Sequence, residues 1–245
     1  MILLNKSKYL TSYQAIQKFQ ESNNKYANSK LGYVGTLDPM ATGLLVVLEN
    51  EENKERNKYI GLTKTYEFEI LFGISTDTYD LLGIIKKIDH KVTVIENLGL
   101  TQFLGKYEQK FPPFSAKIVN GKRLYSISRH SSLSEIELPA YAREIFSLEL
   151  LNNNKVNKSE VLDQVNLATK KVKGDFRQNE ILNSWVSQSN KIKLEYQLVK
   201  IKAKVSSGTY IRRFCVDIAN KYNVHALAYS IKRTKVGGFD IKNAI

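Results

Sequence analysis

The chain has 245 residues and a formal net charge of +13, with 42% hydrophobic and 25% charged residues. That balance supports one large globular domain or two small ones, and the 14 Tyr and 10 Phe exclude wholesale disorder. A single cysteine, Cys215, excludes a disulfide scaffold, and three scattered histidines (His90, His130 and His225) do not complete the usual four-ligand zinc set.

The opening MILLNKSKYL is charged too early for a signal peptide, and no apolar run approaches the roughly 20 residues that span a bilayer. A soluble, cytoplasmic protein is therefore expected. Ile2-Leu3-Leu4 reads as a strand. Thr11 and Gln14 form a capping box for a helix that turns Ala15, Ile16 and Phe19 inward. Gly32 to Pro39 reads as a glycine-rich loop and Gly43 to Leu48 as a buried strand. A polar, helical stretch from Glu51 to Leu62 precedes Thr65 to Gly73, where Tyr66, Phe68, Ile70 and Phe72 alternate onto one face of a strand. Gly83 to Ile88 is a further strand, Asn120-Gly121 a hairpin turn, and Tyr141 to Leu151 another strand. The polar segment from Asn152 to Lys191 has weak helical periodicity at Val161, Leu162, Val165, Leu167 and Ala168, and reads as an insertion or peripheral lobe. Val199, Ile201, Ala203 and Val205 alternate with Lys200, Lys202 and Lys204, a strand with one buried and one basic face. A Ser-Ser-Gly turn then leads into a helix with Ile211, Phe214, Cys215, Ile218, Ala219 and Tyr222 on its apolar stripe. Strands and helices mixed with hairpin-like links predict an α+β fold.

The charge is not evenly spread. From Lys191 to Ile245 there are twelve Lys and Arg against three acidic residues, which is nine of the thirteen excess charges. A clustered positive field attracts polyanions, and nucleic acid is the commonest of these. No basic amphipathic helix with a strong apolar face points to a membrane surface.

Chemistry concentrates in Gly35–Leu45, GTLDPMATGLL. Pro39 biases Asp38 away from helical geometry, and the glycines allow tight turns. Asp38 is thus a carboxylate on a short loop anchored to a core strand. On the residues alone it either presents a reactive carboxylate or closes its turn by an Asx hydrogen bond. Asp77 and Asp80 in STDTYD do not have EF-hand spacing, and neither a P-loop nor a dinucleotide fingerprint is present, so no metal and no cofactor is expected.

Six ordered segments resemble the TruB family of tRNA pseudouridine synthases: LLNKSKYLTS, KLGYVGTLDPMATGLLVVL, KTYEFEILFGISTDTYDLLG, PPFSAKIVNGKRLYSISR, SSGTYIRRFCVDIA and IKRTKVGGF. They cover nearly the whole chain except Asn152 to Lys191. The resemblance implies a pseudouridine synthase fold, with a long mixed, mostly antiparallel sheet flanked by helices, as a single catalytic domain over residues 1–245. It implies that Asp38 is the nucleophile of uridine isomerisation, that Tyr66 packs against the target base, and that Arg212 pairs with the aspartate. Asp80 matches a further polar site group and Ile231 a residue packing near the base. Tyr210, Lys6, Lys122, Arg123, Lys232 and Arg233 are expected to meet the RNA. Tyr33 stands where the family has a histidine that holds the RNA loop; it can stack but hydrogen-bonds differently. The sequence stops soon after GGFDI, where many bacterial members continue into a small PUA-type RNA-binding domain, so weaker tRNA affinity is expected. The implied partner is the T arm of tRNA, with no membrane, no obligate protein partner and a monomeric state. A non-catalytic RNA-binding or tRNA-folding module on the same scaffold is the alternative; retention of Asp38, Tyr66 and Arg212 argues against it.

Overall fold

The computed structural model describes residues 1–90, 94–119, 121–130 and 138–245. The chain opens with β1 (Ile2–Lys6) and α1 (Ser12–Glu21). The Thr11 hydroxyl accepts from the Gln14 N–H at 3.1 Å while the Gln14 side chain accepts from the Thr11 N–H at 2.9 Å. This is the expected capping box, and it aims Ala15, Ile16 and Phe19 at Ile2, Leu4, Leu45 and Val47. β2 (Leu31–Val34) and β3 (Ala41–Glu49) follow. The Gly32 to Pro39 loop is therefore shorter than the sequence suggests, because Gly32, Tyr33 and Val34 pair with Leu48, Val47 and Val46. The buried β3 edge requires hydrogen-bond partners that a free loop would not supply.

The polar stretch forms a 3₁₀ turn and α2 (Arg56–Ile60), ahead of β4 (Lys64–Phe72), β5 (Ile74–Thr76) and β6 (Ile85–Ile88). Next come β7 (Gly105–Lys110), a small hairpin of β8 (Ile118–Val119) and β9 (Lys122–Arg123), α3 (Leu124–His130) and β10 (Ala140–Asn157). Asn120 of the expected turn lies outside the described residues; Gly121 takes φ 76° there. The remainder is α4 (Lys158–Lys171), α5 (Gln178–Ser187), β11 (Glu195–Val205), α6 (Ile211–Asn220), β12 (Ala226–Val236) and β13 (Phe239–Asp240).

Among the described residues, nine strands form one sheet in the order β1-β3-β12-β4-β11-β10-β7, with β2 on β3 and β13 on β12. Every pairing in it is antiparallel except β3 with β12, the mixed and mostly antiparallel sheet expected. β12 enters between β3 and β4 and touches both. At Gly43 (φ +107°) a Cβ would lie 2.3 Å from the Arg233 carbonyl oxygen, so the parallel contact requires glycine. The α6 stripe covers one face of the sheet, over Phe68, Ile70, Val199, Ile201 and Ala203.

The segment from Asn152 to Lys191 is not peripheral. Asn152–Asn157 extend β10, because β11 supplies a ladder partner as far as Asn157 and pairing overrides the poor strand propensity of asparagine. α4 and α5 then bury Val161, Val165, Ala168, Ile181 and Trp185 against Leu71, Ile74, Leu81 and Leu227. Trp185 is 1% exposed and its indole N–H donates to the Gly83 carbonyl at 3.0 Å. No helix among the described residues is long and apolar enough to cross a membrane. Trp185→Ala empties this second core and is expected to cost about 3–5 kcal/mol of stability in urea unfolding; a loss under ~1 kcal/mol would restore the peripheral reading.

Candidate active site

The Asp38 loop is held from three sides. The Ser12 hydroxyl, at the start of α1, accepts from the Leu37 N–H (2.9 Å) and donates to its carbonyl (3.2 Å). The Tyr9 N–H donates to the Pro39 carbonyl at 2.7 Å. Arg233 donates to the carbonyls of Gly35 (3.0 Å) and Leu44 (2.8 Å), joining the start of the loop to the strand behind it. The turn itself closes through the backbone, Ala41 N–H to Asp38 carbonyl at 3.0 Å. The Asp38 carboxylate is turned instead to Arg212, with Nε at 2.7 Å from Oδ2 and Nη2 at 3.1 Å from Oδ1.

Arg212 is the second residue of α6 and is 4% exposed. Its Nη1 donates to the Thr78 carbonyl (2.6 Å) and its Nη2 also to the Phe114 carbonyl (3.0 Å). Asp80 stands 3.6 Å from Nε. Burial pulls the guanidinium pKa down, but the Asp38 and Asp80 charges outweigh it and raise it above its ordinary value. The Asp80 carboxyl is pushed up to about 6, first by burial and then by the Asp38 charge, against the pull of Arg212. Thr78 Oγ1 donates to Asp80 Oδ1 at 2.8 Å and the Leu82 N–H at 2.9 Å, which fixes its rotamer.

These groups face a cavity of about 870 Å³. Asp38, Tyr66, Asp80, Tyr210, Arg212 and Ile231 share its wall, brought there by five separate stretches of chain. Eight Lys and Arg line it against three acidic residues, so the cavity is strongly positive. Arg123 is on its rim. Lys122 is exposed on β9 and is not part of the wall. Lys232 is exposed on the opposite face of β12 from Ile231 and Arg233, across from Glu67. Tyr33 packs on the α1 cluster, outside the wall.

One expected RNA contact is corrected by burial: Lys6 is 1% exposed, lies outside the cavity wall and is spent on the carbonyls of Leu10 (2.6 Å) and Ser7 (3.0 Å). Arg233 is also 1% exposed and braces backbone carbonyls through Nε and Nη2, but it lines the cavity. Burial lowers the Lys6 pKa to about 8, against the opposing pull of Asp38. A third inward cation, Lys64, donates to Leu62 O (2.6 Å), Ile60 O (2.7 Å) and Ser207 Oγ (3.0 Å). Strand alternation carries the signal for it, since Lys64 shares the phase of Tyr66 and Phe68. Gln109, also missed, is buried on β7; its amide accepts from the Tyr210 N–H (2.8 Å) and donates to the Tyr210 carbonyl (3.2 Å), anchoring the residue that leads into α6. A polar residue in the inward phase of EQKFPP is its sequence signature. Among the described residues no three His, Cys, Asp or Glu side chains converge as a metal-binding group.

Residues 23–176 match the family model described as TruB family pseudouridylate synthase (N terminal domain). The tRNA pseudouridine synthase B of Ureaplasma urealyticum is 35% identical over 248 residues, covering 100% of this chain and 89% of that protein. The protein of the same name from Aquifex aeolicus is 29% identical over 246 residues, covering 100% and 70%. Among solved structures, a chain in the crystal structure of a Cbf5-Nop10-Gar1 complex superposes with a TM-score of 0.57 at 17% identity; the match takes in 98% of this chain and 49% of that one, about half its length. The family model and these relatives make the chain a pseudouridine synthase, an isomerase, and the solved structure shares its fold. Within that class, the chain belongs to the TruB family.

The Asp80 shift has a measurable sign. Its folded value of about 6 lies above the ordinary 3.8, so the folded state holds the proton more tightly. The stability this confers is complete below about pH 4 and is lost as pH rises through 6. The stability difference between wild type and Asp80→Asn should therefore fall by about 2 kcal/mol between pH 4 and pH 7 in denaturant unfolding; a difference independent of pH would show that Asp80 does not titrate there.

Proposed function

We propose that the protein converts uridine to pseudouridine in the T loop of tRNA, with Asp38 as nucleophile on a flipped-out uridine. The observation that carries this reading is the Asp38–Arg212 pair inside a basic cavity. Relatives named tRNA pseudouridine synthase B support tRNA as the substrate. The reaction detaches uracil at N1 and re-attaches it at C5, so the base must be cleaved, turned and kept. A cavity with Tyr66 and Ile231 beside the carboxylate suits that requirement, since apolar walls retain a loose base.

Arg212 favours the ionised carboxylate that attack requires and fixes the plane from which it approaches. The target base is stacked in a folded loop, and extruding it costs a few kcal/mol, offset by stacking and phosphate contacts on the basic rim. The protein acts in this reading as a cytoplasmic monomer on the T arm, without a cofactor.

Tritium release from tRNA labelled at C5 of uridine tests the assignment. Wild type should release tritium, and Asp38→Asn should lose turnover about a thousandfold or more while tRNA binding on filters stays within about threefold. Turnover by Asp38→Asn near the wild-type rate would remove the nucleophile. Binding without release by wild type would leave an RNA-binding module. Arg212→Lys, which cannot be bidentate, should lower turnover by about a hundredfold.

A further inference from the structure

Arg177 comes from the segment between β10 and β11, immediately before α5, and takes a left-handed φ of 58°. Its guanidinium is bidentate to Asp77, with Nη1 at 2.7 Å from Oδ2 and Nη2 at 3.2 Å from Oδ1. Its Cζ also lies 4.3 Å from the centroid of the Phe114 ring. The pair is 13% and 4% exposed, and Asp77 Oδ1 additionally accepts from the Ile84 N–H at 2.9 Å.

Both groups that Arg177 grips serve Arg212. Asp77 precedes Thr78, whose carbonyl accepts from Arg212 Nη1. Phe114 itself supplies the carbonyl that accepts from Arg212 Nη2. One planar cation thus ties together the two chain segments that orient a second planar cation. We propose that Arg177 is a positioning residue for the isomerisation: it fixes the Thr78 and Phe114 carbonyls, they fix Arg212, and Arg212 aims Asp38. The inference deepens the proposed function and rests on it.

The chemistry favours arginine for this task. A guanidinium can be bidentate in its plane and stack on its face at once; a lysine ammonium, a point charge without a plane, cannot combine the two. A displacement of about 1 Å at a reacting group costs on the order of a hundredfold in rate, so a loosened carbonyl frame is felt in catalysis more than in binding. Because Arg177 also lines the cavity, direct contact with RNA phosphate is the competing role, and it has the opposite kinetic signature.

The test is steady-state tritium release with Arg177→Lys, Arg177→Met and Asp77→Asn, beside circular dichroism to count folded protein. The expected result is a kcat lower by about 10- to 100-fold with KM within about threefold of wild type. The double variant Arg177→Met/Asp77→Asn should be no worse than the worse single, since both remove one pair. If Arg177→Met does not fold, Arg177→Lys still leaves Asp77 a charge partner and carries the comparison. The inference is overturned by a raised KM with a flattened salt dependence and unchanged kcat, by unchanged kcat and KM in folded protein, or by a kcat loss that only tracks the folded fraction. A wild type that releases no tritium overturns both readings; a wild type that turns over beside an unaltered Arg177→Lys overturns this one alone.

Discussion

A guanidinium with 4% exposure has left nearly all of its hydration behind, and the structure around Arg212 is arranged to replace it. An unpaired buried cation would cost several kcal/mol, so each donor needs a protein acceptor in place before the helix that carries it can dock. The acceptors come from the Asp38 loop, the carbonyl of Thr78 and the carbonyl of Phe114, with Asp80 near. None of these segments is next to another in sequence. Satisfying one arginine therefore gathers the loop after β2, the turn after β5 and the stretch before β8 onto the first turn of α6. The same requirement that stabilises the fold brings a carboxylate, a deep basic cavity and an aromatic wall into register.

Positive charge is used in two ways, and only one faces outward. Lys6, Lys64 and Arg233 are buried, and each donates to backbone carbonyls of neighbouring loops. Burial, with a smaller contribution from the nearby Arg233 charge, lowers both lysines to about 8. Such groups brace loops, as Arg233 does between Gly35 and Leu44. The net charge of the chain consequently overstates the field at the surface. What reaches the cavity rim is carried by residues such as Arg56, Arg123, Arg129 and Lys173.

Alternation and turn chemistry made much of this legible in the sequence. Tyr66 and Ile231 sit in the inward phase of their strands, and the glycine and proline around Asp38 mark a tight loop, though only the family resemblance singles out its carboxylate as the reactive group. Local rules work there because the information is local. They fail where a residue is defined by a distant partner. Hydropathy marks Arg233 and Lys6 as surface residues, and only the carbonyls they meet turn them inward. Arg177 meets Asp77 across 100 positions, and no periodicity in a polar segment announces that. The Asn-rich run from Asn152 has loop composition but lies in a strand, because β11 offers it a ladder.

The placement of β12 bears on how the molecule is made. It is the last long strand in the chain, yet it lies in the interior of the sheet, between β3 and β4. A ribosome releases β3 and β4 well before it, so during synthesis both present open hydrogen-bonding edges rich in Leu, Val, Phe and Ile. The sheet closes only when a late strand is admitted between two early ones, a step dominated by contacts remote in sequence and therefore slow. Ile231 and Arg233 travel on that strand. The cavity wall and the brace of the Asp38 loop thus arrive together, and an unfinished chain can neither shield its edges nor hold its carboxylate in place.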